Sequence, residues 1–223
     1  MMSKGVVLLS GGLDSSTTLA IADEEVDELY AMTFLYGQKH DRELSSAKEL
    51  AELYEVKEHK VLNIPLQEVG KSSLLKEGEE IPENREIDED IPSTYVPARN
   101  IIYLSYALSY AESIDADAIY IGANAIDYSG YPDCRPEFYD AFKEMAAKGT
   151  KRGVEGDPID IRYPLIDLTK GKIVEKADEL GVPLGKTWSC YKGKEKACGI
   201  CDSCKLRLKG FKEAGLEDPI EYE

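Results

Sequence analysis

Positive charge is what this sequence lacks most. Its 27 Lys and Arg stand against 43 Asp and Glu, a formal net charge of −16. Non-specific binding to a nucleic-acid backbone needs a basic face, so no direct nucleic-acid contact is expected. That charge offers no hold on an anionic membrane, and no apolar run approaches the roughly 20 residues of a spanning helix. Met1-Met2-Ser3-Lys4 runs straight into a strand-like segment, so no secretory leader and a cytoplasmic location are expected. Histidine is also scarce, with two residues. His40 follows a strand's end and by itself reads as an exposed loop side chain. Cys134 has no histidine near it in sequence, which favours a neutral, partly buried thiol over a nucleophile.

The first loop lacks a lysine, and this excludes a Walker A site. It runs Ser10-Gly11-Gly12-Leu13-Asp14-Ser15-Ser16-Thr17-Thr18, after the apolar Gly5-Val6-Val7-Leu8-Leu9 and before Leu19-Ala20-Ile21-Ala22. A buried strand, a glycine-rich turn and a helix start make an anion site, because free amides and the helix dipole face the ligand. Ser10, Ser15, Ser16, Thr17 and Thr18 add hydroxyl donors. The loop resembles the S-G-G-x-D-S pyrophosphate loop of the N-type ATP pyrophosphatases.

Further along, residues 29–35 and 58–64 predict strands around a helix over 42–54, whose stripe is Leu44, Ala47, Leu50, Ala51 and Tyr54, with Asp41 as its N-cap. This βαβαβ start predicts an α/β fold with a doubly wound, mostly parallel sheet. Residues 70–92 break the pattern with two acidic runs and read as a mobile surface loop, or as a lid. A helix over 101–113 carries Ile101, Leu104, Ser105, Leu108 and Ala111, with Arg99 and Asn100 at its start. Residues 118–122 form a fourth strand, 138–148 a helix, 149–157 a loop and 159–165 a strand. Thr169 caps a helix over 170–180 that Gly181 ends. Lys170 or Lys172 could reach a phosphate there, though a solvated lysine is the default.

Two stretches carry further chemistry. Residues 122–138 follow a strand and hold Asn124, Asp127, Ser129, Asp133, Arg135 and Glu137, which suits a substrate site at the sheet's carboxyl edge. Carboxylates there can hold Mg²⁺ or accept from a guanine-like N–H edge, and Arg135 can take a carboxylate or phosphate. Near the C-terminus, Cys190, Cys198, Cys201 and Cys204 have the spacing of one closed, structural Zn²⁺ site. An Fe–S cluster is the nearest rival and disulfides come third.

Together, these motifs resemble the 7-cyano-7-deazaguanine synthase family across nearly the whole chain. The resemblance rests on the first loop, Tyr36-Gly37-Gln38-Lys39-His40, Tyr95-Val96-Pro97-Ala98-Arg99-Asn100, the run 122–138, and Thr187-Trp188-Ser189-Cys190-Tyr191 with the later cysteines. Lys39 stands where Arg is expected, and the charge is kept. The resemblance implies an adenine nucleotide alpha hydrolase-like domain over residues 1–186 and a small zinc-binding helical segment over 187–223. It implies an ATP-dependent ligase acting on 7-carboxy-7-deazaguanine and ammonia, and a homodimer. Leu8, Leu9 and residues 10–18 would contact ATP. Asp14 and Asp127 would contact Mg²⁺ or ATP, with Arg99 joining them as catalytic residues. Arg99, Asn124, Asp133 and Arg135 would hold the deazaguanine and its acid. Other adenylating ligases of the same loop class, a tRNA thiolase, and a non-catalytic zinc-ribbon module are the alternatives. The net charge speaks against the thiolase.

Overall fold

The computed structural model describes residues 2–39, 42–75, 80–82, 91–126 and 131–223. Its strands are β1 (Lys4–Leu8), β2 (Glu28–Leu35), β3 (Glu58–Asn63), β4 (Ala118–Ile121) and β5 (Asp160–Arg162). They form one sheet in the order β3-β2-β1-β4-β5, and every pairing is parallel. The helices are α1 (Leu13–Glu25), α2 (Arg42–Leu53), α3 (Arg99–Ser113), α4 (Pro136–Gly149), α5 (Lys151–Val154), α6 (Lys170–Glu179) and α7 (Asp202–Ala214).

Side chains alternate faces along a strand, so the apolar run of β1 feeds two cores. Val6 and Leu8 pack with Leu104 and Leu108 of α3 and with Tyr139 and Phe142 of α4. Val7 and Leu9 pack with Leu19 and Ala22 of α1 and with Ala47 and Leu50 of α2. Helices therefore cover both faces, as expected of a doubly wound fold. A third core joins Leu13 of α1, Ile173 and Val174 of α6, and Phe211 of α7.

The details depart from the sequence pattern in places. The buried residues of α3 are Asn100, Leu104, Ala107, Leu108, Tyr110 and Ala111, while Ile101 is 44% exposed. Ser105 of the expected stripe is exposed as well, its hydroxyl donating to Ile101 O at 2.8 Å, and packing against the sheet turned the buried face toward Asn100 and Ala107 instead. The expected loop 149–157 contains α5, one turn capped by Thr150, whose hydroxyl accepts from Gly153 N at 3.1 Å. The expected strand 159–165 pairs only over Asp160–Arg162. Pro164 has no N–H to give a ladder, and Ile166 N turns back to Tyr163 O at 3.2 Å. Thr169 caps α6 and Gly181 follows it at φ +69°, both as expected. His40, the Asp41 cap, residues 76–79 and 83–90 of the expected acidic loop, and Asp127 with Ser129 lie outside the described residues.

The C-terminal segment is built into the body of the protein. Helix α7 crosses α6 closely enough that a Cβ on Gly210 would sit 2.4 Å from Lys170 Cγ and 3.0 Å from Lys170 O. Arg207 of α7 is 1% exposed. Its guanidinium donates to both oxygens of Asp218 at 2.7 and 2.9 Å and to Thr187 Oγ1 at 2.7 Å. This ties residues 187, 207 and 218 into one charged knot that is fully hydrogen-bonded, as buried charge requires.

Candidate active site

The strand order reverses between β1 and β4, and ligands of open α/β sheets bind where that reversal opens a crevice at the carboxyl ends. A cavity of about 270 Å³ lies there. Its floor is Leu8, Leu9 and Ser10 after β1, Met32 to Phe34 of β2, and Ile121 to Asn124 after β4. Close approach of backbones shapes it. Gly11 has φ +84°, and a Cβ there would lie 2.4 Å from Glu43 O. A Cβ on Gly122 would lie 2.8 Å from Asp14 O. Only glycine lets the loop nest against both α2 and β4.

Gly12, Leu13, Asp14 and Ser15 line the cavity, and the amides of this first helical turn have no i−4 carbonyl to bond. Ser10 Oγ and Ser15 Oγ are 3.0 Å apart on the same wall. The other three hydroxyls of the loop turn inward. Ser16 Oγ donates to Gly12 O at 2.7 Å, Thr17 Oγ1 to Leu13 O at 2.8 Å, and Thr18 Oγ1 to Asp14 O at 2.9 Å. These three side chains are buried and tied to the helix backbone, so they do not face the cavity. Gly11 shapes the turn without lining the cavity.

Asp14 faces a residue whose local sequence suggested solvent. Lys170 is 4% exposed, and its ammonium lies 2.9 and 2.8 Å from the two Asp14 oxygens. It reaches the loop because Gly210 leaves room for its stem. Nothing within ten residues of Lys170 signals this, since the space is made by a helix forty residues later. Lys172 is exposed and pairs with Glu175 at 2.5 Å.

Arg99 also lines the cavity. The residue before it, Ala98, sits at φ +55°, an uncommon backbone for a residue with a Cβ. The Arg99 guanidinium lies 5.7 Å from the Tyr36 ring centroid. Desolvation works against its charge, but Tyr36, Tyr103, Tyr131 and Asp133 together outweigh this and strengthen its hold on the proton. In turn, burial pushes the Tyr36 hydroxyl up to about 12. Glu43, at the start of α2, is half-buried on the cavity wall, and desolvation raises its carboxyl to about 7 against the opposing pull of Arg99.

The remaining polar residues expected near substrate divide. Asn124 lines the cavity, but its amide donates to Leu165 O at 3.2 Å and to Leu168 O, holding the turn before α6. Asp133 and Arg135 are not on the cavity wall. Asp133 is 5% exposed and caps α3 from outside, accepting from Asn100 N at 3.1 Å. Arg135 is exposed, at the N-cap of α4. Cys134 lines the cavity, and burial, then the Asp133 charge, pushes its thiol up to about 12. That matches a neutral thiol.

Another wall comes from the C-terminal segment. Trp188 N donates to Gly11 O at 2.8 Å, and Trp188, Ser189, Tyr191, Ser203 and Arg207 line the cavity. Arg42 of α2 lies 4.6 Å above the Trp188 ring. Directly behind this wall the four cysteines converge, all buried, with their sulfurs within 4.8 Å of one another. A tetrahedral ion at about 2.3 Å from each sulfur places sulfurs about 3.8 Å apart. Cys198 Sγ and Cys204 Sγ are 3.9 Å apart. Backbone N–H groups of Cys198 and Cys201 donate to Cys190 Sγ at 3.3 Å and Cys198 Sγ at 3.4 Å, as thiolates need. The set fits a single enclosed ion better than a cluster, in which separate irons take separate thiolates. Among the described residues, no helix is long and apolar enough to cross a membrane.

Known proteins give this geometry a lineage. Residues 4–215 match the family described as "Queuosine biosynthesis protein QueC". A relative from Desulfitobacterium hafniense, named 7-cyano-7-deazaguanine synthase, is 56% identical over 99% of this chain and 94% of its own. One of the same name from Thermoplasma acidophilum is 56% identical over 99% of this chain and 92% of its own. Among solved structures, NMN synthetase from Francisella tularensis has the same fold, with TM-score 0.51 at 15% identity over 97% of this chain and 79% of its own. With the family match spanning residues 4–215 and relatives at 56% identity over 99% of the chain, the chain belongs to the QueC family of queuosine biosynthesis.

Proposed function

We propose that this protein is an ATP-dependent ligase that converts 7-carboxy-7-deazaguanine and ammonia into 7-cyano-7-deazaguanine. The observation that carries this reading is the open first turn of α1, with Ser10, Gly12, Leu13, Asp14 and Ser15 on the cavity, in a chain 56% identical to relatives so named. In the proposed course, the substrate carboxylate attacks the α-phosphate of ATP, and pyrophosphate leaves onto the loop. Ammonia displaces AMP to give the amide. The amide oxygen attacks the α-phosphate of a second ATP and a second pyrophosphate leaves; loss of AMP and of both amide protons then yields the nitrile. No nucleophilic side chain is needed, because adenylation supplies the leaving group.

The chain's own residues position and compensate charge. First-turn amides and Ser10 take the departing pyrophosphate, and Leu8 and Leu9 floor the nucleotide. Lys170, held on Asp14, supplies the cation that the loop itself lacks. Arg99 takes the substrate acid. Asn124 keeps the turn before α6 in place, and Asp133 fixes the start of α3 beneath Arg99. Mg²⁺ enters with the nucleotide, with Asp14 and Asp127 as its candidate contacts. Cys190, Cys198, Cys201 and Cys204 hold one structural Zn²⁺, which cross-links residues 187–204 into a wall of the cavity. The reaction needs only small molecules and suits a cytoplasmic homodimer.

The test is direct. Purified protein with ATP, ammonium and the carboxy-deazaguanine is followed by mass spectrometry. Nitrile and AMP are expected; Ser10→Ala should abolish AMP release with fold and zinc content kept, and Asp14→Ala should abolish it at a cost in stability, because it removes the carboxylate that pairs the buried Lys170 ammonium. Accumulation of ADP, or turnover retained in both variants, would overturn the reading.

A further inference from the structure

We infer that Glu43 is the residue that reads the guanine-like edge of the substrate, its carboxylate accepting the ring N1–H and the exocyclic 2-amino group. This rests on the proposed substrate class, and it deepens that reading by naming the specificity group.

A guanine-like ring presents two adjacent N–H donors on one edge. A carboxylate offers two acceptor oxygens in a plane, which is the complement. Two acids line the cavity among the described residues, Asp14 and Glu43. Asp14 is held by Lys170 and belongs to the loop proposed to take the nucleotide. Asp133, which the sequence offered for this task, is turned to Asn100 N and lies off the cavity wall.

The side-chain amides are occupied as well. Gln38 Oε1 accepts from Tyr36 N at 2.7 Å, and the Asn124 amide holds Leu165 O. Asn100 Nδ2 donates to Asp133 O at 3.0 Å. Glu43 differs, with no hydrogen-bond partner among the described residues. Its two oxygens, on the wall of the cavity and unclaimed by the fold, are open to accept from a ligand carrying two N–H groups.

Placement supports the same assignment. The backbone of Glu43 touches Gly11, so the start of α2 is fixed against the nucleotide loop. Phe34, Tyr36, Tyr103 and Trp188 share the cavity with it and provide faces for a flat ring. Arg99, on the same cavity, is the electrostatic partner of Glu43. The two residues thus offer opposite charge to a substrate that carries donors on one edge and an acid on another.

The experiment compares wild type with Glu43→Gln, which keeps the shape and loses one acceptor. Wild type should turn over 7-carboxy-7-deazaguanine about 30-fold better than its analogue lacking the 2-amino group, the size of one charge-assisted hydrogen bond. In E43Q the KM for the acid should rise about 30-fold and the preference should shrink to about unity, with the KM for ATP and the zinc content unchanged. Calorimetric binding of the free 7-deazaguanine base, against its 2-deamino counterpart, reads the same preference without turnover. Equal handling of the two analogues by wild type, or a preference undiminished in a folded E43Q, overturns the inference. Preferential base binding that needs Glu43, with no nitrile formed from any acid, would instead fault the proposed reaction and leave the role of Glu43 standing.

Discussion

Replacing Lys170 with Met should unbalance the nucleotide loop measurably. The substitution removes the ammonium and keeps most of the stem that Gly210 admits. At 2.8 Å and an effective dielectric near 20, the gross attraction to Asp14 is about 6 kcal/mol. Most of that is offset by desolvation of the pair, so the net effect is set by what remains afterwards. A buried partner left unpaired costs about 3–5 kcal/mol. The Asp14 side chain is 19% exposed and Lys170 is 5% exposed, so water recovers part of this and about 2–3 kcal/mol is expected. With a guanidinium slope of about 5 kcal/mol per molar, the unfolding midpoint falls by about 0.5 M. The double variant Asp14→Asn, Lys170→Met carries no unpaired charge. It should regain about 2 kcal/mol relative to the sum of the singles. A midpoint for K170M within about 0.1 M of wild type, or strict additivity in the double-mutant cycle, refutes the pairing. The same K170M protein should release AMP at least about 100-fold more slowly, since a cation facing the transferred charge is gone.

Two further outcomes follow from the site. Stripping metal with a strong chelator, or substituting Cys201→Ser, should raise amide exchange not only at residues 190–204 but also at Lys170 and the first turn of α1, because α7 and Trp188 link them; exchange confined to the cysteine turns would refute that linkage. Cys134 should resist iodoacetamide in the native zinc-loaded protein at pH 8, where a thiol raised to about 12 is protonated, and label readily once unfolded. Peptide mapping showing fast native labelling at that pH would contradict the burial.

Legibility differed by element. The strand-turn-helix around residues 5–22 was clear because its chemistry is contiguous: apolar run, glycines, hydroxyls, apolar run. The cysteine site was clear because ligand spacing is itself the signal. Thr169 and Gly181 announced α6 through local capping. Other features needed the third dimension. Residues 101–113 gave a stripe that included Ile101 and Ser105, and only packing on the sheet decided that these two would face out. Ser16, Thr17 and Thr18 read as ligand donors, yet each has a carbonyl four residues back within its own helix. Asp133 and Arg135 read as substrate contacts, yet the turn at Pro132–Cys134 aims Asp133 at a helix end.

The sequence by itself determined the fold class, the place of the anion loop and the four sulfur ligands, since each is written in neighbouring residues or in fixed spacings. Tertiary structure alone decided which charges meet. Lys170 reaches Asp14 across 156 residues because a glycine on α7 lets it pass. Glu43 faces the cavity because α2 packs against the turn at Gly11. Contacts of that kind depend on how helices cross, and no local pattern of side chains encodes a crossing.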